Sequence, residues 1–500
     1  MKQAMALGIL SEGNSVFLTG PAGSGKTYVL NEFVKWARAN GKKVAVTAST
    51  GLAATHLGGN TIHSWAGIGI ADELNKGQIE SMSKSRKAQI QTSDILIIDE
   101  VSMLHDFRLD MVEKVCRLVR ENDSPFGGLQ VVLSGDFFQL PPINRDGSRQ
   151  GDFIFDSFSW QELDPIVCYL EEQHRQNDDM LSEILTAFRE NDLRRRHVEA
   201  LMNRRLSTEL PEGTTELYTH NINVDVINNA KLGAVEGEEH EFFMNSSGRK
   251  TGVATLKKSC LAPEVLKLKE GAFVMFVKNS QEQKYVNGTL GEVVGFEEDS
   301  GLPIVRIKNS KQVVADYETW ELRDGEKKIA SISQIPLRLA WAITIHKSQG
   351  MTLDSAHIDL SKAFVPGMGY VAISRVRSLD SLSLGGLNRT ALTMNERAQE
   401  IDKQLRKSSL QNDALYKTLE SAWEKACAQK KLKKTKSGGT WAEKLAKMRL
   451  EYPNAYTPWT GQDDQKLLKL NSKGKTFRQL SQQFGRHEGS IKARLEKLVL

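Results

Sequence analysis

The chain has 500 residues, of which 40% are hydrophobic and 26% charged, with only 12 prolines and 4 cysteines. That length exceeds what one hydrophobic core usually supports, so several domains are expected, and the balanced composition excludes disordered, collagen-like and coiled-coil proteins. The densest apolar run, at 95–98, is far shorter than the roughly 20 residues that cross a bilayer. Neither a recognisable signal peptide nor a C-x-x-C pair occurs. These features predict a cytoplasmic protein without a membrane segment, zinc site or disulfide framework.

Charge is distributed unevenly along the chain. The formal net charge is only +5, but residues 421–500 carry 18 Lys and Arg against 7 Asp and Glu, a net of +11. Residues 1–420 carry a net of −6. General electrostatic attraction to a nucleic acid is therefore expected in the last 80 residues.

The first part of the chain has the pattern of a parallel α/β sheet. From residue 15 to about 170, short apolar runs alternate with helix-like stretches, a rhythm typical of βαβ units with helices on both faces. From about 212 to 330, β-rich runs with turn signals such as Asn287-Gly288 predict an all-β insertion. The α/β pattern returns at 339–374, so the predicted class is α/β with an inserted β domain.

The last hundred residues differ from the rest. Residues 396–455 are predicted to form a helical and basic linker, which includes the run KKLKKTK at 430–436. Residues 456–500 predict three short helices, a helix-turn-helix of the Myb or SANT kind. Lys492 and Arg494 on the third helix suit major-groove or phosphate contact. A solvated basic face or a protein-docking module is the alternative, and both readings stay open.

A phosphate-binding motif follows the first predicted strand. Residues 20–27, GPAGSGKT, fit G-x-x-x-x-G-K-[ST], in which Lys26 reaches the β- and γ-phosphates and Thr27 ligates Mg²⁺. The glycines leave room for backbone N–H groups to surround phosphates at a helix N-terminus; they are Gly20, Gly23 and Gly25. The flanking strand and helix disfavour the alternative, a glycine-rich surface turn. The motif predicts ATP and Mg²⁺ as ligands.

Two more motifs end predicted strands of the same region. Asp99 and Glu100 follow the apolar run 95–98, where one carboxylate can hold Mg²⁺ and its neighbour can orient or deprotonate the attacking water. An acidic pair alone is usually the solvated start of a loop, but its combination with the phosphate motif favours the metal and water contacts. Gln139, in SGDFFQLPP, could sense the γ-phosphate, while a rigid turn after a strand is the alternative at this position.

Motifs beyond residue 170 separate a motor from a simple nucleotide switch. Arg175 and Arg375 each follow an apolar segment and could act as arginine fingers between two lobes, although an arginine there is more often a surface cation. The run TIHKSQG at 344–350 combines hydroxyl, imidazole, ammonium and amide donors, which suits contact with a phosphodiester backbone. A nucleotide switch would need none of these groups.

Several longer runs together carry a specific resemblance. They are TASTGLAATHLGGNTIHSW (47–65), GDFFQLPP, HRQ (174–176), YVNGTLGEVV (285–294), AITIHKSQGMTLD and YVAISRVRS, with the segment 100–120 between the acidic and Gln139 motifs. Over roughly residues 3–395 the chain resembles the Pif-one family of superfamily-one DNA helicases. The resemblance implies two RecA-like lobes that close on ATP and open after hydrolysis, moving 5′ to 3′ along one DNA strand.

The same resemblance implies a domain plan. The first lobe would span 1–165, with a small wedge insertion at 65–84, and the second lobe 166–212 and 331–395. An SH3-like β insertion would occupy 213–330. The family leaves residues 396–500 unexplained.

The resemblance also implies roles for single residues. Gln3 falls where the family reads adenine, and Met368 replaces its usual glutamine. It implies that Lys26 and Thr27 bind phosphate and magnesium, that Asp99 binds the metal and that Glu100 contacts the attacking water. The implied γ-phosphate contacts are Gln139, Arg175 and Arg375. The family's single-strand motifs contain Thr50, Thr61, His63, Thr344, His346 and Lys347.

The leading hypothesis is therefore an ATP-dependent helicase that unwinds duplex DNA in repair, replication or recombination, cytoplasmic and associated with the nucleoid. Its expected partners are single-stranded, fork and duplex DNA, with no membrane, and the C-terminal unit could also dock proteins. The alternative is an ATP-switched, sequence-specific DNA-binding regulator, in which the tail reads a site. The second lobe argues against it, because a switch does not need both finger arginines and the HKSQG run.

Overall fold

The computed structural model describes residues 1–69, 72–74, 76–80, 82–144, 149–172, 178–205, 214–278, 280, 284–285, 288–307, 311–324, 327–425 and 448–499. Its contacts divide the chain into two units, Met1–Ser421 and Ala422–Leu500. None of the helices within the described ranges has the length and apolar character that a bilayer crossing requires.

The helices are α1 (Gln3–Ser11), α2 (Lys26–Ala39), α3 (Gly51–His56), α4 (Ile62–Trp65), α5 (Lys76–Glu80), α6 (Lys84–Thr92), α7 (Asp106–Arg120), α8 (Phe158–Leu163), α9 (Asp179–Glu190), α10 (Arg195–Met202), α11 (Asn221–Ala234), α12 (Lys250–Ser259), α13 (Ile345–Ser348), α14 (Met368–Ile373), α15 (Glu396–Leu415), α16 (Gly461–Ser472), α17 (Phe477–Phe484) and α18 (Glu488–Val499). The strands are β1 (Val16–Thr19), β2 (Val44–Ala48), β3 (Asn60–Thr61), β4 (Ile95–Asp99), β5 (Gln130–Ser134), β6 (Ile166–Tyr169), β7 (Thr215–Tyr218), β8 (His240–Phe243), β9 (Asn245–Gly248), β10 (Val265–Leu268), β11 (Phe273–Phe276), β12 (Leu290–Phe296), β13 (Pro303–Ile307), β14 (Gln312–Val314), β15 (Glu318–Asp324), β16 (Lys327–Gln334), β17 (Leu337–Leu339), β18 (Ala342–Thr344), β19 (Ala356–Leu360) and β20 (Leu382–Leu387).

The first lobe is built on a six-stranded parallel sheet in the order β3-β2-β4-β5-β1-β6. All residues of β1 and β4 are buried, as expected for continuous apolar runs covered on both faces. α7 packs onto this core through apolar residues at helical spacing. The phosphate motif, the acidic pair and the Gln139 loop follow β1, β4 and β5, so they meet at the carboxyl edge of one sheet.

The first lobe extends further than predicted. β6 pairs with β1 in register Val16↔Ile166, so the sheet continues past the predicted boundary at 165. The helix α15, which the prediction placed in a linker, packs against β6: Ser409 Oγ accepts from Tyr169 N–H at 3.1 Å, and Asn412 Nδ2 donates to the Val167 carbonyl oxygen at 3.1 Å. Most residues of α15 are polar, so its few buried apolar residues did not indicate from the sequence that the helix packs on this lobe.

The second lobe contains a four-stranded parallel sheet in the order β18-β7-β19-β20. β7, at Thr215–Tyr218, lies inside the range 213–330 predicted for the β insertion. Conversely, β17, at Leu337–Leu339, pairs with β11 of the insertion although it was predicted in the second lobe. Both differences have one cause: a strand of only three or four residues does not reveal from its sequence which sheet it joins.

The insertion forms around its own apolar core and is mostly β, but the all-β prediction is wrong: the range 213–330 also contains α11 and α12, and α12 packs against the strand β16. Its main sheet is antiparallel, in the order β14-β13-β12-β11-β17, with the smaller groups β15-β16-β9 and β10-β8. β11 pairs antiparallel with β12, in agreement with the predicted hairpin; Asn287 lies outside the described residues, and Gly288 has φ 89°. The described part of the predicted wedge, 65–84, contains α5.

The C-terminal unit contains the three predicted helices. The side chains of Thr460 and Thr476 cap α16 and α17, each in a capping box with the residue three positions later. The helices enclose a small core of Leu467, Leu480, Phe484, Ile491 and Leu495. The basic run 430–436 lies outside the described residues.

Candidate functional site

The predicted phosphate loop connects β1 to α2. Gly25, directly before the helix, has φ 85°, a left-handed conformation that glycine adopts without steric cost. At Gly20, a Cβ atom would lie 2.3 Å from the carbonyl oxygen of Leu170, so any larger residue would displace the chain after β6. The loop therefore brings backbone N–H groups together at the N-terminus of a 14-residue helix, an arrangement that binds phosphate.

Lys26 lies within this loop. Its Nζ donates to the carbonyl oxygens of Gly20 (2.9 Å) and Pro21 (3.1 Å). Burial lowers the pKa of Lys26, while the carboxylates of Asp136 and Glu100 favour the charged form. The ammonium group is thus held over the loop beside several carboxylates.

Asp99 and Glu100 end β4 as the sequence predicts. Asp99 is 8% exposed, and Glu100 adopts φ 52°, a left-handed conformation that is uncommon for a side chain of its size. Burial raises the pKa of both carboxyl groups, that of Glu100 to about 7, with the Asp99 charge adding to the effect. A nearby divalent cation would relieve this repulsion.

A residue that sequence reasoning missed joins this pair to Gln139. Gln349 is 7% exposed, and its Nε2 donates to Gln139 Oε1 at 3.0 Å and to Glu100 Oε2 at 3.2 Å. Its own Oε1 is buried without a hydrogen-bond partner among the described residues. The available signal was its position in the HKSQG run directly after α13. Gln349 therefore links the second lobe to the acidic motif and to the Gln139 loop.

Arg375 reaches the same region from the second lobe. It is 1% exposed, and its guanidinium group donates to the carbonyl oxygens of Val371 (2.8 Å), Ser348 (3.2 Å) and Met351 (3.3 Å). The other predicted finger, Arg175, lies outside the described residues.

A cavity of about 400 Å³, the small cavity, contains most of the predicted nucleotide contacts. It is lined by Ala22, Gly23, Gly25, Lys26, Thr27, Glu100, Gln139, Gly350, Thr352, Arg375 and Arg377. Gln3, the predicted adenine reader, lies beside it: its Nε2 donates to the Ser24 carbonyl oxygen at 3.1 Å.

A cavity of about 1660 Å³, the large cavity, adjoins the small one. Four predicted strand contacts line it: Thr50, Thr344, His346 and Lys347. Burial lowers the pKa of His346 and of Lys347, and neighbouring cationic groups act in the same direction. Cationic groups in this lining are therefore local, since the lining also contains Asp99, Glu100, Asp152 and Asp354 and residues 1–420 carry a net of −6.

The other two predicted strand contacts lie elsewhere. Thr61 and His63 are not part of the lining of the large cavity. The Thr61 side chain caps α4 by accepting from Ser64 N–H at 3.3 Å. Burial lowers the pKa of His63 to about 4, so its imidazole is neutral near pH 7.

Two family models match the chain. A model described as PIF1-like helicase matches residues 1–191, and one described as the 2B domain of DNA helicase Pif1 matches residues 253–296. A protein named ATP-dependent DNA helicase Pif1, from Psychrobacter sp. (strain PRwf-1), is 43% identical over 481 residues, which cover 84% of this chain and 73% of that protein. The chain belongs to the PIF1-like helicase family. The resemblance inferred from the motifs is confirmed.

Solved PIF1-like helicases have the same architecture. The crystal structure of Pif1 helicase from Candida albicans matches with a TM-score of 0.71 and 33% identity, over 81% of this chain and 98% of that one. Pif1 helicase from Bacteroides, in complex with ADP-AlF3 and ssDNA, matches with a TM-score of 0.62 and 31% identity, over 82% of this chain and 97% of that one. The two parallel sheets are thus the RecA-like lobes of a PIF1-like helicase.

The C-terminal unit lies beyond both family matches, which end at residues 191 and 296. Arg494, a predicted DNA contact there, donates through Nε and Nη2 to Asp464 Oδ1 and Oδ2, at 2.8 and 2.7 Å. This bidentate pair ties α18 to α16. Lys492, the other predicted contact, is exposed on α18.

Proposed function

We propose that this protein is an ATP-dependent DNA helicase, with ATP in the small cavity and one DNA strand in the large cavity. The observation that carries the proposal is that the two cavities share lining residues: Thr27, Glu100, Gly350, Thr352 and Arg377. A conformational change of these residues on ATP binding or hydrolysis would therefore directly alter the contacts of a bound strand. An ATP-switched regulator is not favoured, because it would need neither the large cavity nor the contacts of the second lobe.

In the small cavity, the predicted residues that line it have roles that their surroundings support. Lys26 binds the β- and γ-phosphates, Glu100 accepts a proton from the attacking water, and Gln139 and Arg375 contact the γ-phosphate. Arg175 is proposed there from the sequence alone. Gln3, bonded to the phosphate loop, would couple the loop to the base. The loop glycines Gly20, Gly23 and Gly25 supply the backbone geometry.

The residues present fit a magnesium ion. Thr27 and Asp99 would hold it, and the described residues contain no group of three or more His, Cys, Asp or Glu that could enclose a metal by themselves. That fits Mg²⁺, which usually takes one or two protein ligands and completes its shell with phosphate oxygens and water. When bound, the ion would neutralise charge on the phosphates, and it would relieve the repulsion between Asp99 and Glu100.

In the large cavity, hydroxyl and cationic groups face the place that we assign to the strand. Thr50, Thr344, His346 and Lys347 would contact phosphates and sugars locally, which does not require a basic lobe overall. We propose Thr61 and His63 as strand contacts on the resemblance alone, because both lie outside the cavity lining.

The movement would be stepwise. Closure of the lobes on ATP and opening after hydrolysis would carry them along the strand, 5′ to 3′ by resemblance. We also propose that the helicase works in the cytoplasm at the nucleoid, in repair, replication or recombination. Its C-terminal unit would add contacts to duplex DNA through exposed basic side chains such as Lys492, while Arg494 supports that unit from within.

The deciding experiment is ATP-dependent unwinding of forked substrates with either a 5′ or a 3′ overhang. We expect strand separation from the 5′ overhang only, with ATP hydrolysis stimulated by single-stranded DNA. Hydrolysis at the same rate with and without DNA would contradict a translocase. Tight sequence-specific duplex binding without unwinding would support the regulator instead.

A further inference from the structure

A buried tyrosine of the second lobe contacts the phosphate loop directly. Tyr370, on α14, is fully buried, and its Oη accepts from Ala22 N–H at 3.1 Å. The same hydroxyl donates to Asp136 Oδ2 at 3.2 Å. Ala22 lies in the loop that lines the small cavity, and Asp136 begins the turn that leads to Gln139. One hydroxyl therefore joins the second lobe to two separate nucleotide-site loops of the first lobe.

Arg189 holds this hydroxyl in place. Its Nη1 donates to Tyr370 Oη at 3.1 Å and to both carboxylate oxygens of Asp136, at 2.7 and 2.9 Å. Tyr370 Oη thus accepts two hydrogen bonds and donates one, which uses the full capacity of a phenol. Burial raises the pKa of Tyr370 to about 12, so the hydroxyl keeps the proton that it donates. Tyr370, Arg189 and Asp136 are thus buried groups that hydrogen-bond to one another.

The second terminal nitrogen of Arg189 makes a similar set of hydrogen bonds, but this set does not include the phosphate loop. Arg189 Nη2 donates to Tyr169 Oη at 2.6 Å and to Asp402 Oδ1 at 3.0 Å, and the Tyr169 hydroxyl donates to Asp402 Oδ1 at 2.9 Å. Tyr169 is 2% exposed. Two buried phenols therefore share one guanidinium group and each donates to an aspartate. Of the two, Tyr370 carries the hydrogen bond to the phosphate loop.

We propose that Tyr370 is a positioning residue for ATP hydrolysis, which holds α14 and its finger candidate Arg375 in register with the phosphate loop through the Ala22 N–H group. Arg375 follows the end of α14 by two residues, so a shift of that helix against the loop would displace the guanidinium group. The inference deepens the proposed function and rests on it. Tyr370 acts through Ala22 and Arg375 and is not itself assigned a contact with ATP.

The test compares Tyr370→Phe with Tyr169→Phe. Both substitutions delete one buried hydroxyl bonded to Arg189 and to an aspartate, so a purely structural role would affect both variants equally. We expect Tyr370→Phe to lower the kcat of single-strand-stimulated ATP hydrolysis about tenfold, the effect of about 1.4 kcal/mol in the transition state. KM for ATP should change by less than about threefold, because the phosphate contacts remain. Tyr169→Phe should stay within about twofold of the wild type in both constants.

The outcomes separate the inference from the proposed function. Equal loss of kcat in both variants, or no loss in Tyr370→Phe, would overturn the positioning role. Thermal unfolding of both variants identifies a variant that has lost its fold. If Tyr370→Phe does not fold, Ala22→Pro replaces it, because proline at that position removes the same N–H donor from the loop side. Unchanged kcat in Ala22→Pro would also overturn the role. A wild-type protein without strand-stimulated hydrolysis would instead contradict the proposed function.

Discussion

The small and large cavities share residues, but their polar groups are arranged in different ways. In the small cavity, the predicted groups already have hydrogen-bond partners: Gln349 donates to Glu100 and Gln139, and Lys26 and Arg375 donate to backbone carbonyl oxygens. In the large cavity, His346 and Lys347 lie in a partly buried wall, and this burial lowers the pKa of both side chains. The first site is pre-organised for a ligand of fixed geometry. The second offers hydroxyl, imidazole and ammonium groups along one wall, which suits a polyanion of variable sequence.

The largest effect should come from removing the ammonium group of the small cavity. Lys26→Ala should lower ATP hydrolysis by about 10²- to 10³-fold, as expected when a donor to the transferring phosphoryl group is lost. Strand affinity should be nearly unchanged, because Lys26 does not line the large cavity. Hydrolysis assays and strand-binding anisotropy would measure the two effects. Retained unwinding in this variant would refute the assignment of the site.

The next effect should come from the residue that connects the two cavities. Gln349→Ala removes the N–H donors to Glu100 and Gln139, a loss that we expect to lower kcat by about 10- to 30-fold, since one acceptor is charged. KM for ATP should hardly change. Single-turnover hydrolysis with and without single-stranded DNA is the measurement. Gln3→Ala, beside the same loop, is the contrast: there we expect a higher KM and a smaller change in kcat. The reverse pattern would contradict both roles.

The same contrast explains what the sequence could predict. Lys26, Asp99, Glu100 and Gln139 follow buried apolar runs, so local spacing was enough to place them at or just after the ends of strands. Their convergence at one sheet edge then follows from the parallel order of β1, β4 and β5. The α/β class, the β insertion and the three C-terminal helices also have local signatures of period and capping.

Contacts between residues that are far apart in the chain have no local signature in the sequence. Gln349 lies 249 positions from Glu100, and Tyr370 lies 348 positions from Ala22. Nothing around Arg189 distinguishes a buried arginine with two aspartates from a surface cation at a helix end. The predicted strand contacts divide between cavity lining and other positions for the same reason: which side chains of a motif line a cavity depends on how the lobes pack.

A smaller effect is expected in the large cavity. Lys347→Ala should weaken single-strand binding by about fivefold and reduce the salt dependence of affinity by about 0.7, the slope expected for one phosphate contact on a single strand. DNA-free hydrolysis should be nearly unchanged. Lys35→Ala removes an exposed lysine of α2, outside the lining of either cavity, and should change neither quantity. An equal loss in both variants would mean that only overall charge matters.

The smallest effect should come from the C-terminal unit, whose described residues line neither of the two cavities. Deleting residues 430–500 should leave hydrolysis within about twofold and weaken duplex binding by about threefold, with a flatter salt dependence, because basic side chains act mainly through phosphates. The helix α15 remains in this variant, since it ends at Leu415. In the full chain, Arg494→Ala should weaken duplex binding little, because Asp464 already holds the Arg494 guanidinium group. Unchanged affinity after the deletion would reject a DNA role for this unit and leave protein docking as its function.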